Sequence, residues 1–469
     1  KKTVKHTENH MSDKSTTDFI LSAELKDHND QVRCITSLPT VDGALVTGSL
    51  DRTLKVWEPK KDYNQQYLQY KQQVQEELAM SEEVRPQRTP PSRYSCSSTL
   101  VAHTYFVADV QAIPPTQQHP SGLIVSVSHD KSIIEWDFVE GKVVSQVPNA
   151  HASAITSVSV DPTNPSQRLI TGSWDKTAKI WDNLTCVNTL EGHSTNVLCV
   201  LFLSNGFIVT GSGDGVIKIW EPTGEEIKTI VASTTCVRGL AELPGIGFLS
   251  VSNDGILKTW TLQGDCIQEV QAHSNLVYSV IVTRDGELIT ASEDKSVKIW
   301  KNGELLQTIE HPACVWQVTQ LSNGDIATAC ADCVARVFTR EEARVAEPKI
   351  IEGFNDSIAS AKKKTGTTDP TTLPTAASLQ QPGKRNGEVR LVNNSGVAEA
   401  WSWNAQDKKW EKMGEVVDGP GVGGGFSGKI YYEGEMYDYV FDIELEQSVG
   451  TTKFKLPYNK GSNPFVSAQ

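Results

Sequence analysis

Histidine, serine and aspartate recur together along this chain, and that trio is the first thing in it that could do chemistry. His151, Ser173 and Asp175 are the residue types of a general base, a nucleophile and an orienting carboxylate. A hydrolytic triad is built once per site, however, and needs oxyanion-stabilising donors beside it. Here an aspartate is followed six residues later by an aromatic residue at Asp51/Trp57, Asp130/Trp136, Asp175/Trp181, Asp214/Trp220, Asp254/Trp260, Asp294/Trp300 and Asp332/Phe338. His28, His103, His151, His193, His273 and His311 precede six of these aspartates, and Ser233 takes the fifth slot. Sevenfold repetition is what a structural hydrogen-bond network predicts, so no residue is assigned as catalytic and the chain is read as non-enzymatic.

Two further patterns invite chemistry and fail on spacing. Cys330-Ala331-Asp332-Cys333 is a C-x-x-C, but no second pair lies near it, and Cys330 stands where the repeat expects a strand serine. It reads as a buried thiol. Gly423 to Gly425 lies in a glycine-rich stretch that lacks both a helix start and a GK[ST] sequence, so it reads as a hairpin loop rather than a phosphate cradle. Neither a metal nor a cofactor is expected.

The elements that must position these residues follow from periodicity. From Leu169 to Trp181, LITGSWDKTAKIW, an apolar strand runs into a tight turn at Asp175 and returns with two-residue alternation, which is a hairpin. From the third aspartate onward the spacing is 38 to 40 residues, close to the four-strand period of a propeller blade. Within each hairpin the aspartate can accept from a histidine whose imidazole reaches the serine and tryptophan of the same sheet. The expected network runs through His151, Ser173, Asp175 and Trp181, with His193, Asp214 and Trp220, and with His273, Asp294 and Trp300. It is in doubt where Ser233 replaces histidine, and where Cys330 and Phe338 replace serine and tryptophan. Phe19 to Leu25 is an apolar strand with no blade of its own, and the last copy lacks an outer strand, so these residues are expected to close the ring. These motifs resemble a WD40 β-propeller, and the fold class is mainly β: a seven-bladed propeller over residues 19 to 340. An insertion at 59 to 98 in blade one carries a helical half and a Pro/Arg/Ser-rich half, either a solvated loop or a docking element.

Composition narrows the partners. The formal charge is −13, from 57 Asp and Glu against 44 Lys and Arg, which argues against binding a nucleic-acid backbone. The nine cysteines are scattered without a disulfide framework, which suits a reducing compartment, cytoplasmic and nuclear. No run approaches the roughly 18 apolar residues of a membrane span, so no membrane insertion is expected. Residues 1 to 18 are polar, lack the apolar core of a signal peptide, and read as disordered and tag-like.

Binding candidates lie on the propeller rim. In each copy the residues three and five after the histidine slot flank a buried apolar position, and alternation aims them at the central opening. The fifth positions are Arg33, Ala108, Thr156, Leu198, Arg238, Tyr278 and Trp316; the third include Phe106, Asn196 and Leu276; and the residue before the turn aspartate adds Trp174, Asn253 and Glu293. Arginines and large aromatics at such positions are what protein interfaces use as anchors. The candidates are Arg33, Phe106, Trp174, Leu198, Arg238, Asn253, Tyr278, Glu293 and Trp316, with plugging of the channel as the plainer role for some.

After Arg340 the periodicity ends. Residues 341 to 387 read as a linker, with one amphipathic helix between Glu341 and Ala361 and then a Thr/Pro/Lys/Gly-rich tether. Residues 388 to 469 form a second, small, separate α+β or β domain, with strands at Val397 to Trp403, Trp410 to Val417 and Tyr437 to Leu445, and a turn at Gly434-Glu435. Trp401, Trp403, Tyr437, Tyr439 and Phe441 are many aromatics for about 75 residues to bury, so Trp403, Tyr432 and Tyr437 are candidates for a ligand surface.

The stretches EAWSWNAQDKKWEKMGEVV, YYEGEMYDYVFDIEL and KLPYNKGSNPF resemble the PFU domain of the phospholipase A-2-activating protein family, and propeller, tether and PFU domain is that family's order. The resemblance implies a non-catalytic adaptor in ubiquitin-dependent degradation and ubiquitin homeostasis, binding ubiquitin and ubiquitin chains through the propeller top face and the PFU domain. It also implies a helical PUL domain that docks on a ubiquitin-selective AAA segregase; the chain stops at Gln469 without it and is read as a fragment. The alternative is a WD40 scaffold or substrate receptor for another partner, which an aromatic cage or a basic pocket on the top face would favour. An enzyme or enzyme activator would need a single perturbed catalytic cluster, and none stands out.

Overall fold

The computed structural model describes residues 18–77, 90–164, 168–364, 374–382, 389–394, 397–404, 408–415, 430–432, 435–437, 439–446 and 451–458. The chain divides into two compact units, Lys1–Ile358 and Ala359–Gln469. Residues 1 to 17 of the stretch read as tag-like, and the glycine-rich stretch around Gly423 to Gly425, lie outside the described residues.

Seven four-stranded antiparallel sheets make up the first unit. In blade three the strands Ile155–Val160, Arg168–Ser173, Ala178–Asp182 and Thr185–Leu190 follow one another from the channel outwards. Their second strand is buried on both faces because neighbouring blades sandwich it, which is why LITGS reads as an uninterrupted apolar run rather than an alternating one. Close blade contact also dictates the glycine: a β-carbon on Gly172 would sit 2.9 Å from Val197 Cγ1 and Val200 Cγ1 of the next blade.

The second and third strands of every blade are joined at the repeated aspartate. Its carboxylate accepts the backbone N–H two residues on in all seven copies, from Thr53, Ser132, Thr177, Val216, Ile256, Ser296 and Val334. The residue between adopts a left-handed conformation, by glycine at 215 and 255 and otherwise at Arg52, Lys131, Lys176, Lys295 and Cys333, with φ from 66° to 73° at these five. The aspartate's local hydrogen bond helps hold that strained residue.

The histidine network is complete in four blades, and its composition differs from the expected one. His151 Nδ1 bonds Asp175 at 2.9 Å, His151 Nε2 bonds Thr171 Oγ1 at 2.8 Å, and the Trp181 indole donates to the same hydroxyl at 2.8 Å. The bridging hydroxyl therefore belongs to the residue two before Ser173. Ser173 instead accepts from the Asp175 amide and donates to the Ala154 carbonyl, fastening the turn to the inner strand. Blades one, two and six repeat the arrangement through Thr47, Ser126 and Thr290. Burial alone would raise the Asp294 carboxyl; hydrogen bonding to His273 and its charge outweigh that and bring it down to about 2.

Blade four breaks the expected pairing. Asp214 is taken by the hydroxyls of Ser194 and Ser212, leaving the buried His193 Nδ1 without a partner among the described residues while Nε2 still bonds Thr210 at 2.7 Å. In blade five Asp254 accepts from the hydroxyls of Ser233 at 2.6 Å and Ser252 at 2.5 Å, and Trp260 donates to Ser250. In blade seven Cys330 donates to the Ala313 carbonyl, as Ser173 does to Ala154, so it replaces serine in function as well as place. Burial pushes its thiol up to about 12.

The ring closes as expected: Ile20–Lys26 pairs antiparallel with Val334–Thr339, so the N-terminal strand is the outer strand of blade seven. A buried arginine joins the two ends. Arg336, 2 % exposed, bonds Asp332 at 2.6 Å and Glu24 of the N-terminal strand at 3.2 Å, and lies 5.1 Å from the Phe354 ring centroid.

Phe354 belongs to helix α2, Pro348–Lys364, whose buried Phe354 and Ile358 pack with Phe19, Leu21 and Phe338. The expected linker from 341 therefore begins later: its first part is fastened to the propeller, because the amphipathic face of α2 covers apolar surface on blade seven. The blade-one insertion holds helix α1, Tyr63–Glu77, and the chain re-enters the blade at Tyr94–Val101. Tyr67 donates to Glu347, and Arg93 lies over Tyr63 at 4.2 Å and donates to the Ala343 carbonyl, so α1 is anchored at the start of α2.

In the second unit, Val389–Asn394, Val397–Asn404 and Lys409–Glu415 form one antiparallel sheet. Two hairpins follow, Ile430–Tyr432 with Glu435–Tyr437, and Tyr439–Glu446 with Thr451–Tyr458. Glu435 is already in a strand, paired with Tyr432, so it is not a turn residue; Gly434 lies outside the described residues.

Two outcomes follow for stability. Arg336→Leu leaves Asp332 and Glu24 without their shared partner, and the melting temperature should fall by the equivalent of about 3 kcal/mol or more, as for breaking a buried ion pair. His193 is held down to about 4, by burial and then by the Lys218 charge, against an ordinary 6.5. Its contribution is whole above 6.5 and is lost as pH falls from there towards 4, because only the unfolded chain takes up the proton. His193→Gln should therefore lose less melting temperature than the unchanged protein between pH 7.5 and pH 5.

Candidate functional site

The mouth of the central channel is built from one irregularity repeated seven times. The first strand of every blade pairs with the second through a β-bulge between its first and third residues, for example between Val32 and Cys34, Val237 and Gly239, and Val315 and Gln317. The other four fall at Val107/Asp109, Ile155/Ser157, Val197/Cys199 and Val277/Ser279. The residues inside the bulges are Arg33, Ala108, Thr156, Leu198, Arg238, Tyr278 and Trp316. A bulge leaves one residue out of the ladder and re-aims its side chain. Alternation aimed these seven positions at the opening; in the structure they occupy the bulges and line a single cavity of about 420 Å³.

On one side of this mouth the side chains form a continuous stack. The Arg33 guanidinium lies 3.7 Å from the centroid of Trp316; the Trp316 and Tyr278 rings are 4.4 Å apart; and Arg238 lies 5.7 Å from Tyr278. The Trp316 indole donates to Gln31 at 3.2 Å, Arg238 Nε donates to Asn253 at 2.9 Å, and the Tyr278 hydroxyl donates to Glu293. Burial, then the hydrogen bond to Glu293, raise the Tyr278 phenol well above its ordinary range. Burial lowers Arg33 from the usual guanidinium value. Asn253 and Glu293 thus orient the stack rather than stand alone.

Across the mouth is an aromatic platform. Phe106 and His129 are 4.0 Å apart, His129 and Trp174 are 4.7 Å apart edge to face, and Tyr105 is 4.9 Å from Phe106. Tyr105 and Trp174 are about half exposed, at 53 % and 49 %. Leu198 and Thr156 line the cavity beyond Trp174, and the Thr156 hydroxyl donates to the Val197 and Gly172 carbonyls. The rings pack on one another, so this is a surface and not an open cage.

Tyr105 and His129 escaped the sequence reading, although His129 stands immediately before a turn aspartate, the slot that yielded Trp174, Asn253 and Glu293. Asp109 and Gln317 were missed as well. Asp109 accepts from the Val110 and Val158 amides, from Ser157 and from Gln317, whose own carbonyl accepts from Ile35 N at 2.6 Å, so this pair ties blades one, two, three and seven together. Burial raises the Asp109 carboxyl to about 6 against those hydrogen bonds.

In the second unit Trp403 is 8 % exposed and packs on Trp410, ring centroids 5.3 Å apart, while the Trp410 indole donates to the Gln381 carbonyl. Trp403 is therefore a core residue and not a surface anchor. Tyr432 and Tyr437 stand opposite Glu435 and Ile430 in one hairpin; their side chains lie outside the described residues.

Comparison with known proteins agrees with both parts. The model for the WD domain, G-beta repeat, matches residues 19–58, 142–182, 184–221 and 264–301, and the model PFU (PLAA family ubiquitin binding) matches residues 381–469. The chain belongs to the phospholipase A-2-activating protein family. It is similar to the ubiquitin homeostasis protein lub1 of Schizosaccharomyces pombe, 34 % identical over 96 % of this chain and 57 % of that protein. It is similar also to the phospholipase A-2-activating protein of Xenopus laevis, at 32 % over 79 % of this chain and 46 % of that protein. The chain thus spans about half the length of these family members. The crystal structure of the WD40 β-propeller domain of Doa1 superposes with a TM-score of 0.57 at 26 % identity, covering 70 % of this chain and 99 % of that one.

Proposed function

We propose that this chain is a non-catalytic ubiquitin adaptor with two recognition surfaces, the propeller mouth and the PFU domain. The observation that carries the reading is the match of residues 381–469 to a ubiquitin-binding family model on the same chain as a propeller whose bulges gather aromatics and arginines at one opening. The name of the lub1 relative supports a place in ubiquitin homeostasis. Two weak sites on one chain suit a ligand that comes in repeated copies: once one site is filled, the other meets the next ubiquitin at a high effective concentration. In this reading, the family's C-terminal region would link the captured chain to a AAA segregase, and the protein would work in the cytoplasm and nucleus.

The second reading, a WD40 scaffold for another partner, draws on the guanidinium groups at the mouth, and one experiment separates the two. Isotope-labelled ubiquitin is titrated with residues 18–364 and, separately, with residues 375–469. The adaptor reading expects amide shifts with both, those from the first fragment weakened about tenfold by Trp174→Ala or Trp316→Ala, the usual scale for an anchor residue. Shifts with the second fragment alone would make the propeller a scaffold for something else. Silence from both would end the ubiquitin reading.

A further inference from the structure

Arg33 and Arg238 line the same cavity, and neither has a carboxylate partner among the described residues. Arg33 makes no hydrogen bond there through its guanidinium; it is held by stacking on Trp316. Arg238 spends its Nε on Asn253 and leaves both terminal nitrogens uncommitted. The acids close by are already engaged: Glu293 accepts from Tyr278, and Asp109 is surrounded by two amides, Ser157 and Gln317. A guanidinium partly removed from water and without a carboxylate side chain beside it among the described residues is poised to take one from a partner, and its planar fork suits two parallel hydrogen bonds to a carboxylate or phosphate.

We propose that the propeller mouth binds a single anionic side-chain group of a docked protein, a carboxylate or a phosphate, between Arg33 and Arg238. The Trp316 and Tyr278 rings form one wall of this subsite, with Arg33 at one end of the wall and Arg238 at the other. Both arginines occupy bulge positions, so the strand ladder fixes where they stand while their side chains stay out of it. The chain as a whole carries −13, so no general field draws anions in, and recognition rests on these two groups. The inference stands apart from ubiquitin: it concerns the chemistry of the mouth whatever protein docks there.

The test is fluorine NMR of the whole chain labelled with 5-fluorotryptophan, its Trp316 line assigned by Trp316→Phe. Blocked phosphoserine and blocked glutamate, each an amino acid amide with an acetylated nitrogen, are titrated separately at constant ionic strength. The expected result is a saturable shift of Trp316 with one or both, half complete on the order of millimolar, as befits a lone group, while Trp174 stays put. Whichever probe saturates first identifies the source of the anion. Arg33→Gln and Arg238→Gln should each raise the half-point about tenfold, and Arg238→Lys, which keeps the charge but not the fork, should fall between. If Arg33→Gln melts early, the Arg238 pair decides. No saturable movement with either probe up to about 50 mM, or movement that survives both glutamine variants, would overturn the proposal.

Discussion

Everything in the propeller rests on a tight turn that would be unfavourable without its aspartate. Seven times the chain reverses between the second and third strands with a residue at positive φ, and seven times an aspartate carboxylate accepts the amide that follows. The turn fixes the hairpin register, and the hairpin places the inner strand on which the bulge sits. The histidine is a reinforcement of that turn rather than its cause. Where it is absent, in blade five, or leaves the aspartate, in blade four, two serine hydroxyls serve; in blade seven an arginine does.

Reinforcement differs from blade to blade because each aspartate needs donors and is indifferent to which residue supplies them. Blade seven shows the principle most clearly. Its strands come from opposite ends of the chain, and its aspartate is paired with an arginine that also reaches Glu24 of the N-terminal strand. Helix α2 then lies over the closure, with Phe354 against Phe338 and His311. The same helix start anchors α1 of the blade-one insertion, so α1 and α2 meet beside the seam.

The seven blades, their order and the closing strand were legible in sequence because turn aspartates, strand apolar runs and the aromatic six residues on are all local signals with a fixed spacing. Less legible was anything decided by three-dimensional competition for a donor. Thr171 looks like an ordinary strand threonine, yet it bridges His151 and Trp181, and Ser173, which looked like the bridge, serves the turn. Asp214 has two serines within reach, which no spacing rule foresees. The rim residues were found by alternation, but a bulge places them, and a rule counting two residues per period has no room for it. Trp403 was misplaced because a surplus of aromatics says that some are exposed without saying which.

The central claim is that one chain offers two ubiquitin-binding surfaces, and stoichiometry tests it most directly. Native mass spectrometry of the chain with a large excess of monomeric ubiquitin should show complexes with one and with two ubiquitins, and the second should vanish when residues 375–469 are removed. A ceiling of one ubiquitin, lost altogether on that truncation, would contradict the claim and leave the propeller mouth to a different ligand.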